Sequence, residues 1–278
     1  MDSPYSNIST TTPSALPASL WRNRGLVLQL VRRDISSRYR GSWLGLAWSV
    51  LNPVLMLLVY SFVFSVVFKA RWGGPVEDGH AAFGLVLFAG LIVHALFSEV
   101  ANRAPRLILD NVSYVKRVVF PLEVLPWVAL GSALFHMGIS LVVLLAGQWL
   151  LTQSLPWTAL LLPVVVAPLL LVTLGCGWFL AATGVYLRDI GQSIGLLTTV
   201  MLFLSPTFYP LSALPELGQT LLYLNPLTLV IEESRRVLLF GQLPHWGGLL
   251  VYSVISVMVA WGGFWWFQRA RRGFADVV

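Results

Sequence analysis

The chain has 278 residues, of which 57% are hydrophobic and only 11% charged, and its mean hydropathy is +0.77. A soluble globule carries roughly 25% charged residues, so an ordinary aqueous enzyme or regulatory domain is excluded and the chain belongs in a lipid bilayer. The net charge is +6 with no aromatic-interleaved basic patch of the kind that binds nucleic acid, and the single cysteine, Cys176, leaves no disulfide framework within the chain.

Residues 1–17, MDSPYSNISTTTPSALP, are polar and rich in Ser, Thr and Pro, with no basic stretch leading into a short apolar core. They read as a disordered cytoplasmic tail and not as a signal peptide. Residues 18–41 follow as an amphipathic helix. At about 100° per residue, Leu20, Trp21, Val27, Leu28, Val31, Ile35 and Tyr39 share one face, and Arg22, Gln29, Arg32, Arg33, Ser36 and Arg40 share the opposite one. That pattern suits a helix lying in the membrane interface, where it either anchors the chain to anionic headgroups or lines a cytoplasmic entrance.

A hydrocarbon core about 30 Å thick takes roughly 20 apolar residues per helix. Six segments meet that need: residues 43–68, 81–100, 122–151, 157–187, 193–209 and 247–267. The fifth is the shortest and is crossed by Pro206; the run beyond it, residues 210–245, reads as short broken helices punctuated by Pro210, Pro215 and Pro226. Lys and Arg are enriched in cytoplasmic loops. With the N-terminus inside, the arginines of residues 22–40, then Arg103, Arg106, Lys116, Arg117, Arg188, Arg269, Arg271 and Arg272 all fall in the cytoplasm, leaving Lys69, Arg71, Arg235 and Arg236 outside. The expected fold is an all-α polytopic membrane protein: six transmembrane helices over residues 42–272, both termini cytoplasmic, and a short tail at 273–278.

No G-x-x-x-x-G-K-[ST] phosphate loop is present, so the chain is not expected to hydrolyse a nucleotide itself. There is no His/Cys cluster at metal spacing and no G-x-S-x-G elbow. His80, His94, His136 and His245 are scattered. His94 and His136 fall inside spans, where an ionisable group is a functional candidate, but with no carboxylate at helical spacing a packed neutral histidine accounts for each equally well. Glu99 and Glu123 stand at span ends and the span middles lack charge, which argues against a proton- or sodium-coupled carrier. A metal-dependent sugar transferase would need clustered acids, and Asp110 and Asp189 are isolated. The driving force is therefore expected from a partner.

Four stretches in order, LVRRDISSRYRGSWLGLAWSVLNPVLMLLVYSFVFSVVFKARW (30–72), NRAPRLILDNVSYVKRVVFPLEVLP (102–126), YLRDI (186–190) and SPTFYPLSALPELGQTLLYLNPLTLVIEESRRVLLFGQLP (205–244), resemble the type-2 ABC exporter permeases, in particular the subunits that move O-antigen, capsular polysaccharide or teichoic acid. The resemblance implies a channel-forming, non-enzymatic subunit of the bacterial inner membrane that acts as a homodimer among membrane lipids. It also implies two copies of a separate cytoplasmic ABC ATPase, which hold ATP and magnesium, while this chain has no cofactor. The cargo it implies is an undecaprenyl-type lipid-linked glycan, O-antigen first, moved from cytoplasm to periplasm; a permease for a drug or small lipid is the alternative within the same fold.

In the family's terms residues 101–121 are the loop that couples to the ATPase, through Asp110, Asn111, Tyr114, Lys116 and Arg117 on a short stiff helix with Leu107, Ile108, Val112 and Val115 on its other side. Read from charge alone, the same loop is a basic segment held by lipid phosphates. Residues 210–245 become helices closing the exit, with Tyr209, Asn225, Glu232, Glu233, Arg235 and Arg236 as gate candidates. The pairs Glu232/Arg235 and Glu233/Arg236 at i,i+3 are worth only a few tenths of a kcal/mol when exposed, so a solvated helix face is the default expectation for them. At the cytoplasmic mouth stand Arg38, Tyr39, Arg40 and Trp43. The arginines either receive the pyrophosphate of a lipid-linked substrate or satisfy only the positive-inside bias, and Tyr39 and Trp43 also fit an interfacial aromatic belt. Trp48, Asn52, Tyr60, Phe64 and Phe68 are candidates for lining the pathway, because aromatic rings with polar handles suit pyranose faces. Pro53 removes a donor from the first span and is expected to kink it.

Overall fold

The computed structural model describes residues 15–67, 80–115 and 120–277; Phe68, Lys116 and Arg117 lie outside the described residues. All regular structure among the described residues is helical. Helix α1 (Ala15–Arg38) leads through a turn into a 3-10 turn (Gly45–Ala47), α2 (Trp48–Tyr60) and a π-helical continuation (Ser61–Val67). Helix α3 (His80–Arg103) runs back toward α1 and is followed by 3-10 turns at Ala104–Arg106 and Leu109–Asn111 and the single turn of α4 (Val112–Val115). Then come α5 (Leu125–Thr152), α6 (Leu162–Tyr186), α7 (Ile190–Phe203), α8 (Glu216–Leu222), α9 (Pro226–Leu238), α10 (Trp246–Ala270) and α11 (Phe274–Val277).

Five segments are long and apolar enough to cross a bilayer: Gly45–Phe64, Phe83–Arg106, Leu122–Thr152, Trp157–Tyr186 and Trp246–Gly273. The segment expected as a fifth span at 193–209 is shorter. Helix α7 stops at Phe203, before Pro206, and its 14 residues reach about 21 Å at 1.5 Å per residue, against a core of about 30 Å. The chain then turns into α8 and α9, the broken helices anticipated before the last span. Helix α9 starts where its sequence says it should: Asn225 Oδ1 accepts the Leu227 N–H at 3.0 Å, and Pro226 fills the first helical position, where no N–H is needed.

Two features bring the helices close. A Cβ on Gly263 would collide with the backbone of Gly175, so α6 and α10 cross at a pair of glycines, the small-residue contact through which membrane helices pack. Around the crossing, Trp178 is fully buried and meets Trp127 and Phe264 edge to face at 5.6 and 5.2 Å. At the end of the bundle carrying α1, the Pro105 backbone occupies the space a side chain at position 184 would need.

The packed face of α1 differs from the expected one. Val27, with Leu20, Leu26, Leu30 and Val31 beside it, packs against Val124, Val128 and Trp127, while Trp21 and Leu28 are exposed. Helix α1 docks on α5 along this narrower stripe, seated where Gly131 leaves room: a Cβ there would come within 2.6 Å of Val31 Cγ2. Helix α2 is the least buried span, with only Ser49 and Pro53 buried in it, and it continues as a helix through Pro53. In the described part of the loop expected to form one stiff helix, residues 104–111 are 3-10 turns that lead into α4; Leu107 and Ile108 are buried, and Asp110 is exposed.

Candidate functional site

A cavity of about 430 Å³ opens between α2, α3 and α5. Its wall combines aromatic faces (Tyr39, Trp48, Tyr60), small hydrogen-bonding groups (Ser49, Asn52, Ser98, Ser140) and the titratable side chains Arg38, Glu99, His94 and His136. Five residues singled out from the sequence, Arg38, Tyr39, Trp48, Asn52 and Tyr60, therefore meet at one place. The others do not. Trp43 is 98% exposed, Arg40 is exposed on the turn after α1, and Phe64 is committed to stacking with Phe83 at 5.5 Å and Phe208 at 6.2 Å.

At its α1 end the cavity wall runs into a cluster of charged and polar side chains from three helices. Arg38 Nη2 meets Glu99 Oε1 at 2.7 Å, and Arg103 Nη2 meets Asp34 Oδ1 at 2.7 Å. Ser132 Oγ donates to Asp34 Oδ2 at 2.7 Å, while His136 Nδ1 lies 3.0 Å from Glu99 Oε2 and its Nε2 3.2 Å from Tyr39 Oη. Two weaker contacts, Arg38 Nε to Asp34 at 3.8 Å and Arg103 Nη1 to Glu99 at 3.9 Å, join both pairs into one network. Burial by itself would raise the Asp34 carboxyl. The hydrogen bond from Ser132, the hydrogen bond and charge of Arg103 and the charge of Arg38 outweigh it and hold the group below its ordinary value. The cluster fixes the last turns of α1 to α3 and α5.

Sequence reasoning missed four of these partners: Asp34, Glu99, Arg103 and Ser132. A signal was present, since Glu99 and Arg103 stand at i,i+4 near the end of an otherwise apolar span and Asp34 is the one acid in a basic segment. The carboxylate that His136 lacked along its own helix comes from a neighbouring one. His94 is held by the Thr198 carbonyl at 2.9 Å, a bond from α3 to α7.

The opposite end is organised by α9. The expectation of a solvated face for Glu232/Arg235 is overturned: the Arg235 side chain is fully buried. It donates from Nε to the Val86 carbonyl at 2.9 Å, from Nη1 to the Pro206 carbonyl at 2.5 Å and Glu232 Oε1 at 2.9 Å, and from Nη2 to the Thr207 carbonyl at 3.0 Å. The turn after α7 exposes carbonyls that no helix satisfies, and a guanidinium carries donors enough for several of them. Burial lowers Arg235 to about 10, still protonated at neutral pH, and burial raises Glu232. Glu233 is buried as well, accepting from the His245 backbone N–H at 2.9 Å and facing His245 Nδ1 at 2.7 Å, with Arg236 at 3.6 Å. Tyr209 donates to the Phe203 carbonyl at 2.9 Å, and Asn225 Nδ2 reaches the carbonyls of Met201 and Leu204 at 3.0 and 2.9 Å. All six gate candidates thus hold the α7 end, α9 and the connection to α10 in one frame.

In the loop after α3, Asn111 donates to the Leu107 carbonyl at 2.9 Å and Tyr114 stacks on Phe120 at 4.2 Å, with Arg33 of α1 5.9 Å from its ring. The exit of that loop is tied to the last span. Glu123, buried, meets Arg271 at 2.7 Å, and its backbone carbonyl accepts the Trp178 indole at 3.1 Å. Among the described residues no three His, Cys, Asp or Glu side chains gather as a metal site.

A helical bundle with five segments long and apolar enough to cross a bilayer, a charge-lined cavity at one end and a packed frame of short helices at the other has the make-up of a membrane permease. Its family is explicit: the profile of the ABC-2 type transporters matches residues 25–239, and the chain belongs to that family, whose permeases are inner-membrane proteins. Among relatives, it is 31% identical over 265 residues to the O-antigen export system permease protein RfbA of Myxococcus xanthus, covering 95% of this chain and 99% of that one. It is 24% identical to an RfbA of Klebsiella pneumoniae, covering 91% of this chain and 95% of that one, and 25% identical to the polysialic acid transport protein KpsM of Escherichia coli, covering 83% and 87%.

Proposed function

We propose that the chain is the channel-forming subunit of an ATP-driven exporter that moves a lipid-linked polysaccharide, O-antigen before capsule or teichoic acid, from the cytoplasm to the periplasm. The observation that carries this reading is the cavity between α2, α3 and α5, where Trp48 and Tyr60 offer ring faces beside Asn52, Ser49, Ser98 and Ser140. That combination suits pyranose units, which stack weakly and hydrogen-bond at many points. The near full-length similarity to O-antigen permeases supports the cargo.

The end bearing α1 faces the cytoplasm in this reading, in line with its arginines. A partner ATPase docks on residues 104–115 and on α1, holding ATP and magnesium there, and its closure reaches the cavity through α1 and the Asp34–Arg103–Glu99–Arg38 cluster. Arg38 is not a free receptor for pyrophosphate while it is bound to Glu99, so recruitment falls to Arg40, which is exposed. Two copies of the chain line the channel, with the little-buried α2 of each facing the other. The frame around Arg235 closes the periplasmic side.

A second reading, a permease for a small lipid or drug, is favoured by one feature, a cavity of about 450 Å³ lined almost wholly by hydrocarbon from α3, α6, α7 and α10. Deleting the gene in its host and comparing surface polysaccharide with glycan extracted from the inner membrane separates the two. Polymer made but trapped inside is the expected result. Normal surface polymer would remove the polysaccharide assignment and leave the small-lipid permease.

A further inference from the structure

The cavity between α2, α3 and α5 carries more information than its aromatic lining: the sign of its charge. We infer that it is built for uncharged sugar units and discriminates against anionic ones, with the Arg38–Glu99 pair as the determinant. The inference rests on the glycan reading above and goes beyond it by naming the chemical class of the repeat.

The two charged side chains of opposite sign on the wall, Arg38 and Glu99, neutralise each other at 2.7 Å. Behind them Arg103 and Asp34 repeat the arrangement at 2.7 Å. Two guanidinium groups and two carboxylates sum to zero, and both guanidinium groups are already engaged by carboxylate oxygens. Glu99 has three neighbours competing for its two oxygens, Arg38, His136 and Arg103. An incoming carboxylate therefore meets guanidinium groups that already face carboxylates of the protein, and it meets the fixed negative charge of Glu99.

The physical consequence is a difference in desolvation. A sugar bearing a carboxylate loses its hydration on leaving water for a space bounded by Met56, Phe88 and Ile92, and without a counter-charge that loss is uncompensated. A neutral pyranose gives up only hydroxyl hydration. Hydroxyls can be met by the side chains of Ser49, Asn52 and Ser140, and the apolar sugar face can lie on Trp48 or Tyr60. A sugar hydroxyl can also donate to Glu99, which a carboxylate cannot do.

The pair predicts its own inversion. Glu99→Gln removes one negative charge and leaves Arg38 only its longer contact to Asp34 at 3.8 Å, so the wall becomes net cationic. Arg38→Gln does the reverse.

The test uses the full chain in lipid nanodiscs and saturation-transfer NMR, which reads weak sugar binding, with two probes of equal length: mannotetraose, uncharged, and a tetramer of α2,8-linked sialic acid. The native chain is expected to transfer saturation to mannotetraose at least about tenfold more efficiently than to the sialic acid tetramer. The ratio of anionic to neutral signal should rise in Glu99→Gln and fall in Arg38→Gln, an opposite response that a common folding defect in the two variants cannot produce. Equal binding of the two sugars by the native chain, a preference for the anionic one, or a ratio unmoved by either variant would overturn the inference and leave the glycan reading intact. Binding of neither sugar by natively helical protein would sink the glycan reading and the inference with it.

Discussion

The two ends of the bundle solve the same problem, charged groups inside an apolar protein, in different ways. Around Arg235 three backbone carbonyls accept beside the Glu232 carboxylate, and the side chain is fully buried. Backbone cannot leave without unfolding, so that end is a fixed frame. Around Asp34, Arg38, Glu99 and Arg103 every partner is another side chain, each remaining 20–32% exposed. Rotamer changes and water can exchange those contacts, so this end can open. A buried arginine on carbonyls makes structure; a half-buried ring of ions from two helices makes a joint.

The comparison can be broken most forcefully at Arg235. Arg235→Met leaves the carbonyls of Val86, Pro206 and Thr207 and the carboxyl of Glu232 without their donor, and the expected loss is about 3–5 kcal/mol, seen as failure to accumulate in the membrane. Arg235→Lys should rescue little, because a point ammonium cannot span a planar fork's acceptors. Next in size is Gly263→Val, which drives a branched side chain into the Gly175 backbone. A loss of about 1–3 kcal/mol is expected, measured as a lower melting temperature in detergent with export falling in proportion.

The movable end should respond differently. Asp34→Asn removes the anchor of Arg103 and should cost only about 1–2 kcal/mol. Abundance should stay near normal, while α1 becomes more sensitive to protease and export drops well below the level that abundance predicts. Combining it with Arg103→Gln should add little further loss, the non-additivity of a shared contact. The smallest effect is in pH. Because Asp34 is held below its ordinary value of 3.8, its contribution is complete above that value and disappears as pH falls through the lower folded value. Protection of α1 from protease should therefore be flat from neutrality to about pH 5 and decline only below about pH 4.

How much of this was legible beforehand follows the same divide. Long apolar runs gave five spans to within about six residues, because hydrocarbon thickness sets a length that composition reveals. Helix α7 was overextended because Phe208 and Tyr209 prolong the apolar run past Ser205-Pro206-Thr207, and a proline alone does not end a membrane helix, as Pro53 in α2 and Pro168 in α6 show. Arg38 and Tyr39, expected at the mouth, and Trp48, Asn52 and Tyr60, expected along the pathway, come from one stretch of chain and line one cavity. Their partners Glu99 and His136 were not joined to them, because the contacts span 37 to 97 positions along the chain and periodicity sees only neighbours on one helix. Arg235 was misread for the same reason: at i,i+3 from Glu232 it looks like a surface pair, and nothing local announces three carbonyls arriving from α3 and the turn after α7.

The central claim is that polymer passes through the cavity between α2, α3 and α5. The most direct measurement places a photo-crosslinking phenylalanine analogue at position 60, on the cavity wall, and at position 142, where Val142 is 67% exposed on the outer surface of α5, in cells making the polysaccharide. Irradiation should give glycan-bearing adducts at position 60 and none at 142. Adducts at neither position, or at both alike, would contradict the account.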